Sequence, residues 1–255
     1  MRIHTDPTAL PSAAQQWPPP VEVLNETGRS PIVLICEHAS NHIPAEYERL
    51  GLDDSELARH IAWDIGAAAV TRQLSKRLDA AAFLATYSRL LVDLNRPPRV
   101  AASMPVLSEA TDIPGNRALA QAERDRRVQL IFDPFHERIR AHLDKREPRT
   151  PILIFVHSFT PVYLGQSRPW HAGVLFDKGA ALADSIIASL RSDPALNVDA
   201  NVPYGVSPDE DYGLLVHGDD RGNAAVLIEI RNDLIADPAG VEQWTQRLED
   251  TLRLR

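Results

Sequence analysis

Residues 31–38 read Pro-Ile-Val-Leu-Ile-Cys-Glu-His, and residues 151–158 read Pro-Ile-Leu-Ile-Phe-Val-His-Ser. A continuous apolar run of this length, rich in branched side chains and opened by proline, predicts a strand buried on both faces. Each run delivers a histidine, His38 or His157, at its carboxyl end. Ligands in open α/β sheets bind beyond those ends. Two separate strands can therefore bring two imidazoles together, and a shared metal ion is the chemical reason to do so.

Working outward, residues 224–230 (AAVLIEI) give a third buried strand, and 81–87 and 173–176 give shorter ones. Asp53 or Asp54 can cap a helix that carries Leu57, Ile61, Ile65, Ala68, Val70 and Leu74. Residues 89–94 (RLLVDL) read as another short strand, closed by Asn95-Arg96-Pro97-Pro98. The irregular stretch 99–117 has the character of a functional loop or lid. Val128, Ile131, Phe135, Ile139 and Leu143 place a helix over 119–145, which Pro134 must kink or split. Further helices are expected over 180–190 and 238–252. Helices alternating with buried strands imply an α/β sandwich around a mostly parallel sheet. Residues 1–30, with Pro11, Pro18, Pro19 and Pro20, are expected to form an extended tail before a single catalytic domain over 31–255.

The chain has 255 residues, 44% of them hydrophobic, enough for one substantial core. Its net charge of −8 argues against a general nucleic-acid binder. No apolar stretch approaches the roughly 20 residues that span a bilayer, and no secretory h-region opens the chain. Cys36 is the one cysteine, so no disulfide framework exists and a cytoplasmic protein is expected.

Glu229 stands between Ile228 and Ile230 in a run that must be buried. A buried carboxylate is costly unless paired, for example with Arg231 or Arg89, or placed near a metal. Its functional reading is a general base that activates water at such a metal. Asp64 and Glu37 are both candidates for a third ligand beside His38 and His157, since catalytic zinc sites commonly use three protein ligands and leave one position open. His42 lies four residues after His38, but Ile43-Pro44 denies it a helix, so it reads as a loop residue. Asn95 and Arg96 suit a substrate carboxylate, because a planar guanidinium grips one bidentately and the amide adds donors. Arg89 could neutralise a second carboxylate. Tyr204 and Tyr212 are candidate oxyanion donors or packed platforms. The nucleophile elbow Gly-x-Ser-x-Gly and the dinucleotide fingerprint are both missing.

Together, CEHASNHIP (36–44), HIAWDIGA (60–67), SRLLVDLNRP (88–97), HSFTP (157–161), NVPY (201–204) and IEIRNDL (228–234) resemble the N-formylglutamate amidohydrolase family. The motifs stand in the family's order and cover most of residues 31–235. The resemblance implies a distant kinship to zinc carboxypeptidases and a three-layer αβα sandwich with a mixed, mostly parallel central sheet of the zinc carboxypeptidase/phosphorylase-hydrolase type. It implies His38 and His157 as zinc ligands, Asn95-Arg96 as the carboxylate anchor and Glu229 as general acid/base. The carboxypeptidase His-x-x-Glu motif has Asn41 at its last position here, so the third ligand passes to Asp64. Glu37-His38-Ala39-Ser40 also replaces the family's commoner Pro-His-Ser-Gly, the mark of a divergent branch. The implied activity is zinc-dependent (or other divalent metal) cleavage of a small anionic N-acyl amino acid, with N-formyl-L-glutamate as type substrate. The rival readings are a carboxypeptidase-like deacylase on larger amides and a non-catalytic metal-binding relative.

Overall fold

A computed structural model describes residues 17–146 and 150–253. The first 16 residues of the expected tail lie outside the described residues. The long apolar runs form β2 (Ile32–Cys36), β6 (Ile152–Phe159) and β11 (Ala224–Arg231), side by side and parallel at the centre of a seven-stranded sheet. β3 (Ala81–Ala85) continues the parallel set beyond β2, and β1 (Val21–Leu24) closes that edge antiparallel to β3. On the other side β9 (Ala172–Leu175) runs antiparallel to β11, and β10 (Val198–Ala200) parallel to β9. The sheet is thus mixed and mostly parallel.

Both faces are covered because both are apolar. Leu34, Ile154 and Val226 meet α2 (Ala67–Leu78), α5 (Ala180–Leu190) and α6 (Pro238–Arg253). Val33, Leu153 and Phe155 meet α4 (Asp133–Asp144) and the buried segment that holds Leu90, Leu91 and Val92. A period of two along each strand divides its side chains between these layers. Pro134 does divide the long helix: α3 (Gln121–Arg127) passes through a wide π-turn at Val128–Phe132 before α4 begins, with the proline in its first turn.

Three readings need correction. Residues 21–24 are not tail but a strand, which pairs with β3 from Val21↔Ala85 to Leu24↔Ala82. The expected helix from residue 54 stops after α1 (Asp54–Leu57), which Asp53 caps by accepting from Glu56 N, and resumes only at α2. Turns and bends fill 58–66, and Gly66 leads into α2 with φ +81°, where a Cβ would lie 2.2 Å from the Ile235 carbonyl oxygen. Residues 89–94 form turns rather than a strand. Ser88 Oγ donates to the Ala62 carbonyl, and Ser103 O accepts from Asp93 N. Those bonds fold the apolar run beneath the sheet instead of into it.

Candidate active site

The carboxyl ends of β2, β6 and β11 lie along one edge of the sheet. His157 and Glu229 are register partners on adjacent strands, and His38 follows two residues after β2. The interruption between α1 and α2 brings in Asp64, whose N–H donates to the His38 carbonyl at 2.9 Å. Asp93 arrives from the turns at 89–94. All these side chains are buried.

The imidazoles meet at right angles, with ring centroids 4.7 Å apart. His38 Nε2 lies 2.7 Å from Asp93 Oδ1, and His157 Nε2 lies 3.1 Å from Glu37 Oε2. Ionised carboxylates only accept, so each Nε2 carries the proton. Each Nδ1 then points at one oxygen, Asp64 Oδ2, at 3.3 Å from His38 and 2.9 Å from His157. In neutral rings two lone pairs would face an acceptor-only atom. A proton or a cation between them relieves that repulsion. A tetrahedral zinc with bonds near 2.1 Å sets its ligands roughly 3.4 Å apart, close to the two His–Asp64 spacings, and all three ligand atoms lie within 4.8 Å of one another. The residues therefore fit a divalent metal held by His38 Nδ1, His157 Nδ1 and Asp64, with Asp93 and Glu37 fixing the two tautomers from behind.

The electrostatics agree. Burial raises the pKa of the Asp64 carboxyl, but His38 and His157 outweigh it and hold the group well below the usual range. Burial opposes protonation of His157, yet its bonds to Asp64 and Glu37 hold it well above its ordinary value. Burial and Arg89 likewise oppose protonation of His38, yet Asp93 and Asp64 raise it. Burial pushes Glu229 up to about 7 against the opposing charge of His157. Glu229 Oε2 is buried with no hydrogen-bond partner among the described residues. A cavity of about 380 Å³ opens over this group, within the range of small-molecule sites.

The other candidates distribute unevenly. Glu37 lies outside the His38–Asp64–His157 group and meets His157 Nε2 instead, and its Oε1 has room because Gly213 carries no side chain. Asn41 donates to the Leu57 carbonyl, and His42 packs on Tyr87, both away from the imidazole pair. Arg96 lines the cavity; its Nη1 donates to the Glu210 carbonyl at 3.0 Å and lies 3.6 Å from the exposed Glu210 carboxylate. Asn95 also lines it and donates to Asp211. Arg89 commits Nε and Nη2 to Asp93 Oδ2, at 3.0 and 2.6 Å, and leaves Nη1 3.6 Å from Asp64. Tyr204 borders the cavity, whereas Tyr212 packs on Phe132 and His136. Sequence reasoning missed the roles of Asp93 and Glu37; each sits in a quoted motif, but only the fold pairs it with a particular ring nitrogen.

A buried His-Asp-His cluster with the Glu229 carboxyl beside it, at the carboxyl edge of a mixed sheet, defines an α/β protein with a candidate hydrolytic metal centre. The chain belongs to the N-formylglutamate amidohydrolase family, which it matches over residues 30–236, and is an amidohydrolase of that family. It is similar in structure to the gene product Atu2144 from Agrobacterium tumefaciens, with 39% sequence identity over 94% of this chain and 95% of that one and a TM-score of 0.89. It also shares its fold with the N-formylglutamate amidohydrolase from Ralstonia eutropha JMP134, at 19% identity over 92% of this chain and 97% of that one, with a TM-score of 0.66. No curated protein matches the chain. No helix among the described residues is long and apolar enough to cross a membrane.

Proposed function

We propose that this chain hydrolyses the amide of an N-formyl (N-acyl) amino acid, with N-formyl-L-glutamate as type substrate and a divalent metal, zinc first, as cofactor. The observation that carries the reading is the unpartnered, buried Oε2 of Glu229 next to two imidazoles whose Nδ1 atoms converge on Asp64. A metal held by His38, Asp64 and His157 would polarise the amide carbonyl and lower the pKa of water toward about 7.

The chain's own residues supply the rest. Glu229, poised near neutrality by burial, takes a proton from the attacking water and returns it to the departing amine. Arg96 grips a substrate carboxylate in place of Glu210, whose side chain is 70% exposed and so readily exchanged. Asn95 adds an amide donor from the same turn, and the two together hold the scissile amide over Glu229. The products are formate and the free amino acid.

Glu229→Gln tests this. The variant keeps its shape and should retain bound metal by elemental analysis. Formate release should fall by about a hundredfold or more, the range of a lost general acid–base group. Undiminished turnover removes Glu229 from the chemistry.

A further inference from the structure

Glutamate carries two carboxylates, and the cavity lining offers them two arginines, Arg89 and Arg96. Arg89 is already spent. Its fork is closed on Asp93, and Asp64 stands by its remaining nitrogen. Only Arg96 can trade a flexible partner for substrate. One carboxylate is thus left without a cation among the lining residues.

Arg168 lies just behind that lining. Its guanidinium is held between two cavity-lining rings, 4.5 Å from the centroid of Tyr163 and 4.7 Å from that of Tyr204. Its Nη1 donates to Tyr204 Oη at 2.7 Å. Among the described residues no carboxylate lies within ion-pair distance of it, unlike Arg89 and Arg96. Stacking between rings fixes the guanidinium plane, so little freedom remains to be lost on binding an anion. Tyr204 Oη accepts from Arg168 and so keeps its own proton to donate. Partial desolvation at the cavity border, reinforced by the nearby Glu229 charge, raises the phenol's pKa and keeps that proton in place.

We propose that Arg168 and Tyr204 form a second carboxylate subsite at the cavity mouth, one that selects dicarboxylic N-acyl amino acids. It rests on the amidohydrolase reading above, and it moves to Arg168 the role that the sequence suggested for Arg89. The guanidinium supplies charge through its unused N–H groups, and the phenol supplies a second donor.

The test compares N-formyl-L-glutamate with N-formyl-L-glutamine, a near-isostere that lacks the second charge. In Arg168→Gln the glutamate-to-glutamine ratio of kcat/KM should drop about tenfold or more, chiefly through KM, since a charged hydrogen bond is lost. Tyr204→Phe, which keeps the ring stack, should lower the same ratio less. Arg168→Lys should restore part of it. A ratio unchanged in Arg168→Gln overturns the subsite, even where both rates fall, because a merely structural role lowers them together. If the parent holoenzyme releases formate from neither compound, the proposed N-formyl substrate fails by itself. The subsite is then judged by calorimetry with L-glutamate and L-glutamine: a preference for glutamate lost in Arg168→Gln upholds it, and a preference kept, or never present, refutes it.

Discussion

Replacing Asp93 with Asn would preserve the shape of the side chain and reverse half of its hydrogen bonding. Asp93 Oδ1 accepts from His38 Nε2 at 2.7 Å and from Asn95 N at 3.0 Å, while Oδ2 accepts from Arg89 Nε and Nη2 at 3.0 and 2.6 Å. An asparagine has one oxygen and one NH₂. Facing the oxygen to His38 sets the NH₂ against the Arg89 donors, and the flipped amide sets it against His38 and Asn95 instead. Either way donors confront donors at a site only 3% exposed. Breaking a buried ion pair by removing one partner costs about 3–5 kcal/mol. Arg89 keeps Asp64 at 3.6 Å, and its side chain is 27% exposed, so solvent screens the loss toward about 3 kcal/mol. Affinity at the proposed metal site should fall separately, because His38 loses the carboxylate that fixes its tautomer. Loss of such a support typically costs 10–100-fold in affinity, or about 1.4–2.8 kcal/mol. Urea denaturation of the metal-stripped protein measures the first quantity, and zinc competition against a chromophoric chelator measures the second. A variant as stable as its parent to within about 0.5 kcal/mol, with equal zinc affinity, would refute the reasoning for both.

Arg96→Ala should raise KM for acidic N-formyl substrates more than for neutral amides without a carboxylate; equal losses in steady-state kinetics would exclude the anchor role. Gly213→Ala should destabilise the fold by about 1–3 kcal/mol and weaken zinc binding, since the new Cβ would stand 2.1 Å from Glu37 Oε1; an unaltered thermal midpoint would contradict the close approach. Burial holds His217 down at about 3, against an unfolded value of about 6.5, and it pairs with His136 at 2.9 Å. Between those values the unfolded chain binds a proton that the folded one refuses. Stability from this group is therefore complete above about pH 6.5 and falls as pH drops, at up to about 1.4 kcal/mol per pH unit. From pH 6 to pH 5 the unfolding free energies of parent and His217→Asn, taken from urea titrations, should converge by about 1 kcal/mol; a constant difference would refute it.

Elements governed by local pattern were legible. Continuous branched runs announced β2, β6 and β11, and α5 lies within the bounds its periodicity suggests. Pro134 foretold the division of the long helix. Failures came where tertiary demand overrode local pattern. Leu57, Ile61, Ile65 and Ala68 keep helical spacing straight through the break, yet the segment turns instead to set Asp64 against His38 and His157, a long-range demand that spacing does not carry. RLLVDL has the composition of a strand, yet Ser88 and Asp93 find backbone partners that curl it. At the site, the convergence of His38, Asp64 and His157 was anticipated from strand ends and motifs. The work of Asp93 and Glu37 was not, because it depends on which nitrogen of each ring faces which neighbour.

The cavity has a floor and a roof of different kinds. The floor is set by the ends of β6 and β11 and the segment after β2, locked in register within the core. The roof is drawn from two short hairpins, β4–β5 (Leu107–Ser108 with Thr111–Asp112) and β7–β8 (Val162–Tyr163 with Gln166–Ser167). Their exposed Val106, Leu107, Val162 and Leu164 contribute little to the interior. Changes in these hairpins can re-address the catalyst to other acyl or amino-acid groups while its chemical apparatus, embedded in the sheet, stays as it is. Engineering of this scaffold therefore has a natural seam, and diversity among its relatives should concentrate on the roof side of it.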